Sequence, residues 1–383
     1  MKVILGLLML IVCYFTVTLQ AQSAKPEKVH SIVKIYKGYE WYSEQHELWK
    51  KELAQHPNNP AGWLNYYTAT RMAKIGAPSS DIRNTWFEKM GQVVEEMKAA
   101  IQGTYEYYYI QAYHDMDDEG INHALKAYEM DPNRPDVYDE LMTHYELTRN
   151  KTKLKEIAKK WLASGDFSPT VLIWNYNMLN STEKNAILIT MGDNDTYPSL
   201  VLQYAEGIRE DVVVLNKSLA LKEDYRNALF KELGIPALNG EINDYKEIVN
   251  YVIEHKGTHP LYFALGGNPA KLGMQDKLFN VGLAMLYCED GANSTSLLIK
   301  NFEQNIMLDH LKCSIYKEEF PSEIQRYNVL YIPSLLMLYK HYLLTNDLNK
   351  QAELRTLILK IGTDYDQRER ILEVLADYES KTK

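Results

Sequence analysis

The segment Gly192-Asp193-Asn194-Asp195-Thr196-Tyr197-Pro198 places two carboxylates one residue apart, flanked by amide and hydroxyl oxygens. That donor set suits a hard divalent cation such as Ca²⁺ or Mg²⁺, or hydrogen bonds to a sugar. Asp193 and Asp195 are the candidate metal ligands, with Gly192, Asn194, Thr196 and Tyr197 around them. The spacing starts like a calcium loop, but the later glycine and the glutamate ligand are missing, which excludes an EF-hand. The same residues also have an architectural use. Asp195 or Thr196 can cap a helix opening near Pro198, while Gly192 and Asn194 take turn conformations and Asp193 accepts backbone N–H bonds. The sequence leaves both readings open.

Short apolar runs must position this segment. Ala186 to Thr190, Asp211 to Asn216 and Pro260 to Leu265 read as buried parallel strands, with a helix from Ser199 to Glu206 between the first two. In open α/β sheets, ligands bind beyond the carboxyl ends of the strands. Asn216 and the Gly266-Gly267-Asn268 turn fall at the other two ends, so Asn216 and Asn268 join the candidate site, and all three segments converge on one crevice. Upstream, from Tyr36 to about Leu179, apolar residues recur at three and four, which predicts amphipathic helices. Two joints there look alike: His56-Pro57-Asn58-Asn59-Pro60 and Asp131-Pro132-Asn133-Arg134-Pro135, each leading into a helix that opens with Trp63 or Tyr138. Their separation is close to two tetratricopeptide repeats of about 34 residues each, and Ala124 to Pro132 is the best single match. An ordinary helical bundle is the alternative. Helical periodicity returns from about Ser294, clearest in Tyr331 to Leu344 and Asn349 to Ile361, with Asp347 and Asn349 as caps of the second helix.

The expected fold class is therefore α+β multidomain. A tetratricopeptide-like α-solenoid covers 22–180, a small α/β domain with a short parallel sheet covers 181–290, and a helical repeat-like tail covers 291–383. Residues 1–21 read as a secretory signal peptide: Lys2, an apolar stretch from Val3 to about Leu19, and a small residue at a cut after Ala21. An uncleaved membrane anchor and a lipoprotein lipidated at Cys13 are the alternatives. Export would permit a disulfide between Cys288 and Cys313, and two free thiols fit equally well. Charged residues at 24% and hydrophobic ones at 46% match soluble globular chains and exclude a disordered or all-membrane protein. A net charge of −9 with no long basic run argues against nucleic acid as a partner. Tyrosine is the outlier, at 29 against 8 Phe and 6 Trp, a residue that suits helix seams and wet interfaces.

The stretch Ala186 to Pro198, with Gln203, Glu206-Gly207-Ile208-Arg209, Asp211-Val212, Val214 and Asn216-Lys217-Ser218-Leu219, resembles the soluble C-terminal region of glycosyltransferase family 117. These are many-spanning, O-mannosyltransferase-like membrane proteins of Bacteroidota. The resemblance is specific over about Asn185 to Leu219 and weaker over Pro260 to Ile361. It implies an envelope location, periplasmic or tied to the outer membrane. The membrane part that would carry sugar transfer has no counterpart in this sequence, so the transferase activity does not carry over. His-Glu-x-x-His, Gly-x-Ser-x-Gly and phosphate-loop patterns are missing as well. Two functions are expected. The first is a non-enzymatic scaffold or adaptor for envelope proteins, without cofactor and touching membrane only through a partner or an uncleaved anchor. The second is a glycan-binding or glycan-active protein that uses Asp193 and Asp195, with a divalent cation as the one cofactor conceivable.

Overall fold

The computed structural model describes residues 25–31, 33–115, 118–265, 272–291, 294–313 and 316–381. The expected signal peptide, Cys13 and the Gly266-Gly267-Asn268 turn lie outside the described residues. The chain divides into two compact units, one running to Ile110 apart from Val33–Ile35, the other holding Val33–Ile35 and everything from Gln111.

The first unit holds helices α1 (Tyr39–Gln55), α2 (Pro60–Gly76) and α3 (Ser80–Ile101), and the start of α4 (Tyr105–Asp115). The joint at Pro57 falls where the sequence places it. Pro60 occupies the first turn of α2, and the Asn59 side chain accepts the Gly62 N–H at 3.1 Å, satisfying one of the amides a helix start leaves open. Ser79 caps α3 in the same way through Ile82. Between α1 and α2, His46 is 2% exposed, its Nδ1 lies 2.8 Å from Thr70 Oγ1, and its ring packs between Tyr66 and Trp86. Burial lowers its pKa to about 4, and Lys89 and Lys50 push the same way.

The second unit continues with α5 (Asp118–Met130), α6 (Tyr138–Leu147), α7 (Lys151–Ser164) and α8 (Pro169–Asn180). Asn150 and Ser168 cap the last two. It then forms β1 (Ile187–Thr190), α9 (Asp193–Glu206), β2 (Val213–Asn216), α10 (Glu223–Leu233), α11 (Tyr245–His255) and β3 (Leu261–Ala264). Two further strands, β4 (Leu278–Asn280) and β5 (Ala284–Tyr287), follow. The sheet order is β2-β1-β3-β5-β4. β1 pairs in parallel with β2 and β3, as the apolar runs predict, whereas β5 runs antiparallel to both β3 and β4. The expectation of a parallel sheet is thus corrected to a mixed one. β4 spans only three residues, and β5 is Ala284-Met285-Leu286-Tyr287, largely helix-forming types without a β-branched residue, so neither reads as a strand. One face of the sheet buries Ile187, Ile189, Leu215, Leu261 and Phe263 against Leu229 and Phe230 of α10 and Ile248, Val249 and Val252 of α11.

Helices α12 (Ser294–Gln304), α13 (Asp309–Lys312), α14 (Pro321–Val329), α15 (Ile332–Leu344), α16 (Leu348–Asp364) and α17 (Arg368–Lys381) complete the unit. Asp347 caps α16 through the Lys350 N–H at 3.1 Å. Asn349 is not a cap, because α16 already begins at Leu348. Cys288 and Cys313 are free thiols.

His46 carries a pH prediction. Its folded pKa lies below the unfolded value near 6.5, so its contribution to stability is complete above about pH 6.5 and is lost as pH falls toward 4. Thermal unfolding followed by circular dichroism between pH 7 and pH 4 should show a steeper fall of Tm for wild type than for His46→Gln. Equal slopes would refute it.

Candidate functional site

The distinctive segment follows β1 directly. Gly192 is extended, at φ −155° and ψ −175°, and α9 begins at Asp193, six residues earlier than the sequence suggests. Asp195 therefore sits in the first turn. Its Oδ2 accepts the Met191 N–H at 3.0 Å and its Oδ1 the Gly192 N–H at 2.8 Å. The side chain is 5% exposed, and burial raises its pKa against the opposing pull of those two N–H bonds. Both oxygens are thus directed at backbone amides. Pro198 lies inside the helix, where it cannot donate to the Asn194 carbonyl four residues back. That carbonyl takes Nδ2 of the buried Asn175 from α8 instead, at 2.9 Å, and Asn175 Oδ1 accepts the Ser199 hydroxyl at 2.9 Å. A side chain contributed from 19 residues before Asn194 makes the proline tolerable.

Thr196 is the hub of this network. Its hydroxyl donates to the Gly192 carbonyl at 2.6 Å and accepts Asn216 Nδ2 at 2.8 Å, with Thr190 Oγ1 at 2.7 Å. Asn216 Oδ1 in turn accepts the N–H groups of Ser218 and Leu219, shaping the exit from β2. Tyr197 faces the other way, its hydroxyl on Thr143 of α6 and its ring 5.9 Å from Trp161 of α7. Of the residues expected to form a crevice, the structure brings Thr196 and Asn216 into direct contact. Gly192 and Asp193 are exposed, Asn194 is half-buried, and Asn268 lies outside the described residues. Among the described residues no group of three or more His, Cys, Asp or Glu is arranged to hold a metal ion.

A concavity that the sequence did not mark lies beside β2. This cleft of about 240 Å³ is lined by Glu146, Arg149 and Lys151 from the α6–α7 turn, Leu200, Gln203 and Tyr204 of α9, the edge strand itself, and Leu229 and Glu232 of α10. Glu146 is 1% exposed. Its Oε1 accepts Arg149 and the Tyr225 hydroxyl at 2.9 Å, while Oε2 accepts the Tyr204 hydroxyl at 3.5 Å. Burial pushes the Glu146 pKa up, with Arg149 and Tyr225 opposing. Arg149 also bonds Glu232, at 3.2 Å, and holds φ at +51°, a left-handed conformation that costs a non-glycine residue roughly 1–2 kcal/mol. Glycine is the usual residue at such a helix end, so arginine here trades backbone ease for a placed guanidinium. Nothing in Glu146-Leu147-Thr148-Arg149 announces this, because its partners lie at 204, 225 and 232.

A second concavity, at the amino end of β1, includes Glu183, Arg209, Tyr262 and Lys300. Its polar centre is internally paired: Arg209 bonds the carbonyls of Leu179, Thr182 and Glu183 as well as Asp211, and Tyr262 donates to Glu183 at 2.9 Å.

Residues 174–233 match a family model described as TMEM260-associated domain 2. No curated protein matches the chain. The matched stretch contains the whole Thr190–Thr196–Asn216 network and most of the cleft wall, whereas Glu146, Arg149 and Lys151 come from α6, the turn after it and α7, outside the match.

Two substitutions separate cap from ligand. Asp195→Ala orphans two backbone amides and should cost about 2–4 kcal/mol in urea unfolding. Asp193→Ala, at an exposed position in the first turn, should cost under about 1 kcal/mol. Similar losses from both would contradict the capping role. Arg149→Ala leaves Glu146 buried without its cation and should cost about 3–5 kcal/mol by the same measurement.

Proposed function

We propose that the protein is a non-enzymatic adaptor or scaffold of the cell envelope that binds other envelope proteins. The observation that carries this reading is the engagement of the Gly192–Pro198 segment in its own fold: the polar groups best suited to chemistry close the helix start and tie β1 to β2. What supports an envelope role is the similarity of residues 174–233 to a TMEM260-associated domain, in line with the resemblance to O-mannosyltransferase-like proteins of glycosyltransferase family 117. No helix among the described residues is long and apolar enough to cross a membrane. We read the paired helices before β1 and after β5 as tetratricopeptide-like, an architecture whose stacked helices offer extended binding surfaces. The secretory leader read at residues 1–21 and a periplasmic or outer-membrane-associated location belong to the same proposal.

The second reading is glycan or divalent-cation binding at Asp193 and Asp195. Asp193 is exposed on the first turn of α9, which favours that reading, whereas Asp195 offers no open oxygen.

Thermal unfolding of the full chain with Ca²⁺, Mg²⁺, Mn²⁺ or envelope sugars tests the two together. A true ligand at about 100 times its dissociation constant adds about 2.7 kcal/mol, a readable shift. The adaptor reading predicts no shift with any of these, together with capture from envelope extracts of a protein that, once purified, binds the purified chain. A shift that Asp193→Ala abolishes would establish the second reading instead.

A further inference from the structure

The ladder fixes which backbone groups of β2 face the cleft. Val213 gives its N–H to Ala186 and Lys217 gives its N–H to Thr190, so by the alternation of a parallel pair the N–H and C=O of Val214 point away from β1. β2 is the edge of the sheet, and Val214 lines the cleft while being only 4% exposed. A peptide amide and carbonyl turned into a concavity at a sheet edge form a template for one more extended segment. The template is short, because the neighbouring Val212 carbonyl is already taken by Gln203 Nε2 at 2.7 Å.

Charge says what the segment carries. Three carboxylates line the cleft, at Glu146, Glu210 and Glu232, against two cations, Arg149 and Lys151. Both cations are engaged: Arg149 with Glu146 and Glu232, Lys151 with Glu232 at 3.2 Å. Glu210 is exposed and has no ion-pair partner among the described residues, whereas Glu146 is buried and held by Arg149 and Tyr225. The unmet demand is for a cationic donor. Leu200 and Leu229 provide apolar wall on either side of the edge.

We propose that the cleft receives an extended, lysine- or arginine-bearing segment of a partner protein, paired to β2 at Val214, with its cation placed against Glu210. The inference rests on the adaptor reading and gives it a docking point. A sugar could meet the carboxylates through hydroxyl groups, but it would not match the amide and carbonyl that Val214 presents side by side.

The test titrates the full chain calorimetrically with capped five-residue peptides of alternating valine and lysine, of alternating valine and glutamate, and with the lysine peptide N-methylated on its backbone. The lysine peptide should bind with a dissociation constant below about 1 mM, and methylation of the pairing amide should weaken it about three- to tenfold. The glutamate peptide should not bind, and Glu210→Gln, at an exposed position, should weaken the lysine peptide. Val214→Pro, which removes an N–H that the ladder does not use, should act like methylation of the peptide. The proposal is overturned if the lysine peptide fails to bind, if methylated and plain peptides bind alike, if the glutamate peptide binds equally well, or if an oligosaccharide binds the cleft in place of the peptides. An envelope partner that still binds Val214→Pro and Glu210→Gln at full strength would also overturn it while leaving the adaptor reading intact.

Discussion

The hydroxyl of Thr196 holds the centre of the second unit together. It is one donor and a double acceptor, and all three capacities are used inside the protein, on the Gly192 carbonyl, Asn216 and Thr190. A buried hydroxyl satisfied in this way fixes geometry, because any shift of β1, β2 or α9 leaves a polar atom without a partner in a medium that penalises it. Asp195 does the same for the backbone of the β1–α9 turn. The Asn175 amide extends the arrangement to α8 by taking the carbonyl that Pro198 releases. Strand end, helix start and preceding helix thus form one polar clasp inside the buried core of the unit.

Function follows from what the clasp leaves over. A segment of carboxylates, amides and hydroxyls beyond a parallel strand invites a catalytic reading, since ligands in such sheets bind there. Here most of its hydrogen-bonding capacity points inward. Further polar groups lie at the sheet edge, where the outward-turned Val214 peptide groups and three carboxylates against two cations line a cleft walled by α9, α10 and the α6–α7 turn. The clasp sets that cleft, because it fixes the register of β2 and the position of α9. Arg149 sets its floor, held in a left-handed conformation so that its guanidinium reaches both Glu146 and Glu232.

Local signals made much of this legible in the sequence. β1, β2 and β3 were readable as short apolar runs stopped by glycine or asparagine, and the α2 start from Asn59-Pro60. The role of Asp195 was legible as one of two alternatives. The true start of α9 was not, because a proline in a helical pattern ordinarily marks the first turn, and the residue that excuses it, Asn175, belongs to another helix. β4 escaped notice because it spans three residues, and β5 because Ala284-Met285-Leu286-Tyr287 is as long as β1 but built largely of helix-forming residues without a β-branched one. The cleft was invisible for the same reason as Asn175: Glu146 acquires meaning only from Tyr204, Tyr225 and Glu232, brought near by folding.

Amide hydrogen exchange at Met191 and Gly192, followed residue by residue in the full chain, tests the clasp most directly. If Asp195 holds both N–H groups as the core of this unit, they should exchange only through global unfolding, as slowly as the amides of β1, and cations or sugars should leave the rates unchanged. Rapid exchange at these two positions, or protection that appears only when a cation or sugar is added, would contradict the account and return the segment to the role of a ligand site.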